Sequence, residues 1–209
     1  MAEMELTIVG FDPGTSVTGW AALAGTRRPR LLRAGAIRAK ASQPIEKRLL
    51  SIFEGVGRIL DEYKPDMVSI EDPFVGKNPS GALTLGQARG VILLATAQRD
   101  LPVASYSPAT IKSSVAGKGS ADKEQVRQMV MHILGLKEVP EPLDASDAIA
   151  VALCHLNRGD IPRPTSSSHS ISAGTDQGIP AAQTRARKMA AREEDADALA
   201  RWLSGGRGK

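Results

Sequence analysis

Two apolar runs that each stop on an acid constrain this chain more than any other feature. The first, Leu6-Thr7-Ile8-Val9-Gly10-Phe11, ends on Asp12 and the tight turn Pro13-Gly14-Thr15. The second, Met67-Val68-Ser69-Ile70, ends on Glu71. Short runs of this composition read as buried strands. In an α/β fold, strand ends that meet helix N-termini are where sites are built. Two further acids, Asp144 and Asp147, stand three apart at the start of the last well-patterned helix, and positions i and i+3 share a helix face. Four hard oxygen ligands in one cleft suit Mg²⁺ or Mn²⁺.

Each acid alone has a commonplace reading. Asp before Pro-Gly is a frequent turn residue. Asp144 suits a helix N-cap, and Asp147 a first turn where the helix dipole favours an acid. Glu71 suits a solvated strand end. The four together, on two strand ends and one helix start, point to a shared site.

The intervening chain supplies a fold around them. Strands are expected over residues 5–11, 17–23 and 31–38, with a hairpin loop at 25–30 that makes the three antiparallel. Ile45, Leu49, Ile52, Val56, Ile59 and Tyr63 follow helical spacing, and Lys64-Pro65 ends that helix. Strand 67–71 and a loop over 72–79 follow. Ser80 is the expected N-cap of a helix reaching about residue 99. A short strand at 102–106, a short helix at 109–115, a flexible connector at 117–120 and helices at 121–134 and 144–157 complete the order. Three antiparallel strands followed by α/β units is the order of the ribonuclease H-like fold, by fold-level analogy. The expectation is a mixed five-stranded sheet flanked by helices over residues 1–158. Residues 159–209 read as a Pro/Ser/Gly-rich flexible tail with one short helix near its end.

Composition narrows the setting. The chain has 209 residues, enough for one core and an appendage. Its single cysteine, Cys154, allows no intramolecular disulfide, which fits a reducing cytoplasm. The acidic N-terminus lacks the basic region of a signal peptide, no stretch is apolar enough to span a membrane, and no zinc-type CxxC or HExxH motif occurs. Lys and Arg number 27 against 23 Asp and Glu, a formal +4. So small an excess does not announce a nucleic-acid binder, which would need local basic patches around an acidic cleft.

Several segments together resemble the RuvC-type Holliday junction resolvases. They are Gly10-Phe11-Asp12-Pro13-Gly14-Thr15 with Thr18-Gly19; Ile70-Glu71-Asp72-Pro73-Phe74; Leu85-Gly86-Gln87-Ala88-Arg89-Gly90; Ile111-Lys112; Gly117-Lys118-Gly119-Ser120-Ala121-Asp122-Lys123; and Asp144-Ala145-Ser146-Asp147-Ala148. The resemblance implies a crossover junction endodeoxyribonuclease that binds two Mg²⁺ ions per site, with Mn²⁺ able to substitute, through Asp12, Glu71, Asp144 and Asp147. It implies lysines near the scissile phosphate at Lys112 and Lys123, a junction-probing aromatic at Phe74, and DNA contacts that include Lys77, Asn78 and Lys118. It also implies a homodimer that nicks two opposed strands of a four-way junction and acts with a branch-migration motor of the RuvA and RuvB type. Nothing in the resemblance assigns the tail a role.

The residues leave some choices open. Phe74, in a loop beside Pro73 and Gly76, suits either stacking on an unpaired base, worth ~1–3 kcal/mol, or anchoring its loop to the core. Lys112 and Lys123 suit transition-state charge stabilisation or a solvated surface. Gly86 and Gly90, four apart in a helix where each glycine costs about 1 kcal/mol, imply a close backbone neighbour, either within the chain or across a two-fold axis. His155 reads as structural, roughly 12 Å along the helix from Asp147. An Asp-x-Gly-Thr phosphotransferase is a rival, but it requires a second phosphate loop and a second domain. A noncatalytic junction binder on the same fold is another, and retention of four acids argues against it.

Overall fold

A computed structural model describes residues 6–72, 79–138 and 140–158, all within a first compact unit, Met1–Arg163. The expected tail and its helix lie outside the described residues, as do Phe74, Lys77 and Asn78. The elements run β1 Thr7–Asp12, β2 Val17–Ala24, β3 Arg30–Arg38, α1 Ile45–Tyr63, β4 Met67–Glu71, α2 Pro79–Ala97, β5 Val103–Tyr106, α3 Pro108–Ala116, α4 Lys123–Leu134 and α5 Leu143–Arg158. The five strands form one sheet in the order β3-β2-β1-β4-β5. The first three pair antiparallel, and β1, β4 and β5 run parallel.

Alternation of side chains along the strands divides the core in two. Val9, Phe11, Val68 and Ile70 pack with Ile52, Val56 and Leu60 of α1 and Ile92 of α2. Ile8 packs on the opposite face with Ile111, Val115, Val126, Val130 and the buried length of α5. That helix is covered from Ala145 to Leu156 except at Asp147, which stays partly open.

Lys64 in the left-handed region (φ 42°) ends α1 after Tyr63, as expected. Other helix ends differ from expectation for local reasons. Proline can occupy a first helical turn, so α2 starts at Pro79 and Ser80 is inside it, not at its cap. The same helix stops at Ala97, and Arg99 turns back to grip Asp61 of α1 through two bonds of 2.7 and 2.8 Å. Asp122 caps α4 with its side chain on the Gln125 N–H, and the Gln125 side chain returns the bond. This capping box moves the helix start from 121 to Lys123. The segment 117–120 is a built turn, not a flexible connector. Gly117 caps α3 at φ 76°, and the Ala121 N–H donates to the Lys118 carbonyl at 3.2 Å.

Two strand glycines set how closely α5 lies on the sheet. A Cβ on Gly10 would stand 2.5 Å from the Ala148 carbonyl oxygen and 2.8 Å from the Ala152 nitrogen. One on Gly19 would stand 2.2 Å from the Asp144 carbonyl oxygen. The obstacles are backbone, so they cannot swing aside. Gly10→Ala is therefore expected to lift α5 and cost about 1–3 kcal/mol through overpacking. Urea unfolding should show this as a lower midpoint with an unchanged slope.

Candidate metal-binding active site

The register of the sheet brings the two strand-end acids together. β1 and β4 are aligned with Phe11 opposite Ile70, so Asp12 and Glu71 follow side by side. Phe11 and Ile70 are buried toward α1 and α2. The next residue on each strand must face the other way, toward α5. That helix begins at Leu143 and has Asp144 within its first turn. Asp144 is thus past the N-cap position, and the capping explanation for it fails. Asp147 follows one turn later.

The turn after Asp12 is held from two sides. Thr18 Oγ1 donates to the Gly14 carbonyl at 2.7 Å. Arg48 reaches over from α1, with Nε on the Thr15 carbonyl at 2.9 Å and Nη2 on the hydroxyls of Thr15 and Ser16 at 2.5 and 2.8 Å. The strand end at Glu71 has its own brace. Arg89 of α2 binds Asp72 at 2.8 Å and the Ser105 hydroxyl of β5 at 2.8 Å, while the Asp72 N–H donates to the Tyr106 carbonyl at 2.8 Å.

Asp12, Glu71 and Asp147 line one cleft of about 160 Å³ with Lys112, Lys123, Ile111 and Pro108. Lys123 Nζ donates to Asp147 Oδ2 at 3.1 Å. Asp144 is not among the lining residues, although its charge reaches Asp12. Burial, then the charges of Asp147 and Asp144, push the Asp12 carboxyl from 3.8 to about 7, with Lys123 opposing. Burial and then the charges of Asp12 and Asp147 push Glu71 from 4.5 to about 7 against Lys123 and Lys112. The hydrogen bond to Asp147, followed by its charge, holds Lys123 above its usual value. Among the described residues, no group of three or more His, Cys, Asp or Glu side chains is arranged to hold a metal ion. The donor set nonetheless fits a hard divalent ion. It is all oxygen, partly open to solvent, and its two deepest carboxyls resist ionisation because they are buried and crowded by other acids.

Other residues fall into place around this cleft. Lys118 is exposed in the turn between α3 and α4, apart from the cleft lining. His155 is structural, buried and sharing a 2.6 Å hydrogen bond with the Tyr106 hydroxyl. Arg48 and Arg89 escaped the reading of the sequence. Arg89 carried a signal, being the only charged residue in the nineteen of α2. Arg48 carried none, since it sits in a first turn full of polar residues.

Comparison with known proteins points one way. A family profile described as "Crossover junction endodeoxyribonuclease RuvC" matches residues 8–155. Proteins of that name from Chloroflexus aurantiacus and Dehalococcoides mccartyi are 45% and 46% identical over 148 and 152 residues, covering 70% and 72% of this chain and 90% of each relative. The solved structure "T. thermophilus RuvC in complex with Holliday junction substrate" aligns with TM-score 0.69 at 34% identity over 73% of this chain and 94% of that one. A yeast mitochondrial Holliday junction resolvase shares the fold at 10% identity and TM-score 0.50, covering 72% of this chain and 78% of its own. The sheet order and these likenesses make the fold ribonuclease H-like.

The raised carboxyls have a consequence for stability. The unfolded chain gives up these protons near pH 4, whereas the metal-free folded chain holds them to about 7. The folded state therefore binds more protons across that window, and stability falls as pH rises through it. Asp12→Asn should remove part of this loss. In chelator, the variant is expected to melt above the parent at pH 8, by about 2–4 °C for each kcal/mol relieved, with the gap shrinking toward pH 4. Thermal unfolding across that range checks it.

Proposed function

The chain belongs to the RuvC family of crossover junction endodeoxyribonucleases, and we propose that it resolves four-way DNA junctions by metal-dependent nicking of two opposed strands, in homologous recombination and repair. The observation that carries this reading is the meeting of Asp12, Glu71 and Asp147 with Lys112 and Lys123 in one cleft.

Asp12, Glu71, Asp144 and Asp147 would hold two Mg²⁺ ions, or Mn²⁺ in their place, and ions bound there would supply activation of the attacking water and stabilisation of the leaving oxygen of a phosphodiester. Lys112 and Lys123 set positive charge beside the acids, where the reacting phosphate gains negative charge. Lys123 then exchanges Asp147 for that phosphate. Phe74, three residues past Glu71, meets an unpaired base at the crossover, and Lys77, Asn78 and Lys118 contact DNA nearby. The protein acts in the cytoplasm with a branch-migration motor of the RuvA and RuvB type. Among the described residues no helix is long and apolar enough to cross a membrane.

The active form is a homodimer joined through α2. That helix turns Leu83, Gly86, Gly90 and Leu94 to solvent, and the two leucines are 70% and 55% exposed. Among the described residues, nothing outside the helix's own turns comes within 4 Å of a Cβ placed on Gly86 or Gly90, which speaks against a close intramolecular neighbour and supports one across the pairing axis. An apolar, uncharged face with two glycines suits a second copy of itself across a two-fold axis.

Two experiments test this. Asp12→Asn, Glu71→Gln, Asp144→Asn and Asp147→Asn should each abolish nicking of a synthetic four-way junction in Mg²⁺ while retaining junction binding, which rests largely on phosphate contacts. A variant that cuts at the parental rate removes that acid from the ligand set. Gly86→Leu fills open space in the single chain, so it should fold normally yet sediment as a monomer and lose paired nicking. A dimeric Gly86→Leu protein would move the interface elsewhere.

A further inference from the structure

The acids need a basic surround to receive DNA, and the lysines of α3 and α4 supply one bank of the cleft. A second bank stands on the other side of Asp12. Residues 38–48 hold four basic side chains, Arg38, Lys40, Lys47 and Arg48, against one acid, Glu46. Most of the chain's formal +4 is thus matched within eleven residues. The strand order places this segment at the acid-bearing end of the sheet. Gly19 of β2 lies opposite Asp12, and Arg38 of β3 lies opposite Val17. Two strand spacings, about 10 Å, separate β3 from β1. That is roughly the rise of three nucleotides along one DNA strand. Ile37 packs inward on Gly55 of α1, so its neighbour Arg38 faces the side to which Asp12 turns.

The segment is also held in place. Arg48 spends its guanidinium on Thr15 and Ser16, and the Ala39 N–H donates to the Ser16 carbonyl at 2.9 Å. Both bonds land on the turn that follows Asp12. The Gln43 N–H closes a further turn on the Lys40 carbonyl at 2.9 Å. Arg38, Lys40 and Lys47 are all exposed, and among the described residues none of them is in an ion pair. Their backbone is held to the turn after Asp12, and among the described residues their charge is uncompensated.

We propose that Arg38, Lys40 and Lys47 form a phosphate track along which one duplex arm of the DNA substrate leaves the cleft. The proposal rests on the junction-cutting reading above and adds the path of the arm. It favours DNA over a protein partner because the segment exposes three cations and no large apolar side chain among residues 38–48, a composition suited to phosphates.

The test compares two charge-matched triple variants of the full chain. Arg38→Gln/Lys40→Gln/Lys47→Gln neutralises the track. Arg27→Gln/Arg28→Gln/Lys64→Asn removes the same charge at the opposite end of the sheet. Junction binding is measured by fluorescence anisotropy against salt concentration, without divalent metal, and melting temperatures are recorded for both. Each lost phosphate contact lowers the slope of log affinity against log salt by about 0.9. With three contacts in each chain of the dimer, the track variant should lose about 5 from that slope if both chains engage an arm, and no less than about 2–3 if only one does, while the far-end variant keeps the parental slope and both melt near the parent. Equal slopes for track variant and parent would overturn the proposal, and so would equal losses in the two variants, which would mean a general effect of net charge. Failure of the parent itself to bind junctions in a salt-dependent way would instead overturn the functional reading.

Discussion

Everything in this site depends on how closely α5 is allowed to approach β1 and β2. Gly10 and Gly19 leave no side chain between the helix backbone and the sheet. The helix can then set Asp147 into the same cleft as two acids that come from strand ends. A larger residue at either position would separate the helix acids from the strand acids by the thickness of a methyl group. That distance matters because hard cations bind oxygen over a narrow range, 2.0–2.1 Å for Mg²⁺.

The same closeness has an electrostatic cost, visible in Asp12 and Glu71. Both carboxyls are pushed to about 7 because they are buried and crowded by acids. Lys123 relieves part of this by bonding to Asp147. The ammonium thus occupies the region where divalent cations would compensate the charge more fully. Its long stem is 71% exposed, so it can withdraw without disturbing the core.

Much of the fold was legible because its signals were local and strong. The six-position stripe from Ile45 to Tyr63 is a helix with those bounds, and both acid-terminated runs are strands that end on their acids. Helix starts were less legible. Ser80 looked like a cap but the helix began at Pro79, and the Asp122–Gln125 capping box, which the sequence does contain, was passed over. The pair Gly86 and Gly90 could be read as internal or external, and only three-dimensional packing shows that, among the described residues, no other element reaches them. Arg48 and Arg89 were illegible for another reason. Each acts on residues 16 to 33 positions away, and no periodicity encodes a contact of that kind.

Arg89 joins two parts of the molecule that would otherwise be separate. It projects from the flank of α2, between the bare face and the buried one, and clasps Asp72 and Ser105 beside the Glu71 strand end. If two chains pair through α2 as proposed above, a shift of that helix would be passed through this guanidinium to Asp72, the residue next to Glu71. Linkage of this kind is reciprocal. If pairing of two chains settles Glu71 for an ion, then an ion on Glu71 strengthens the pairing by the same factor. The two halves of such an assembly would then become ready together, as the paired nicking proposed above requires.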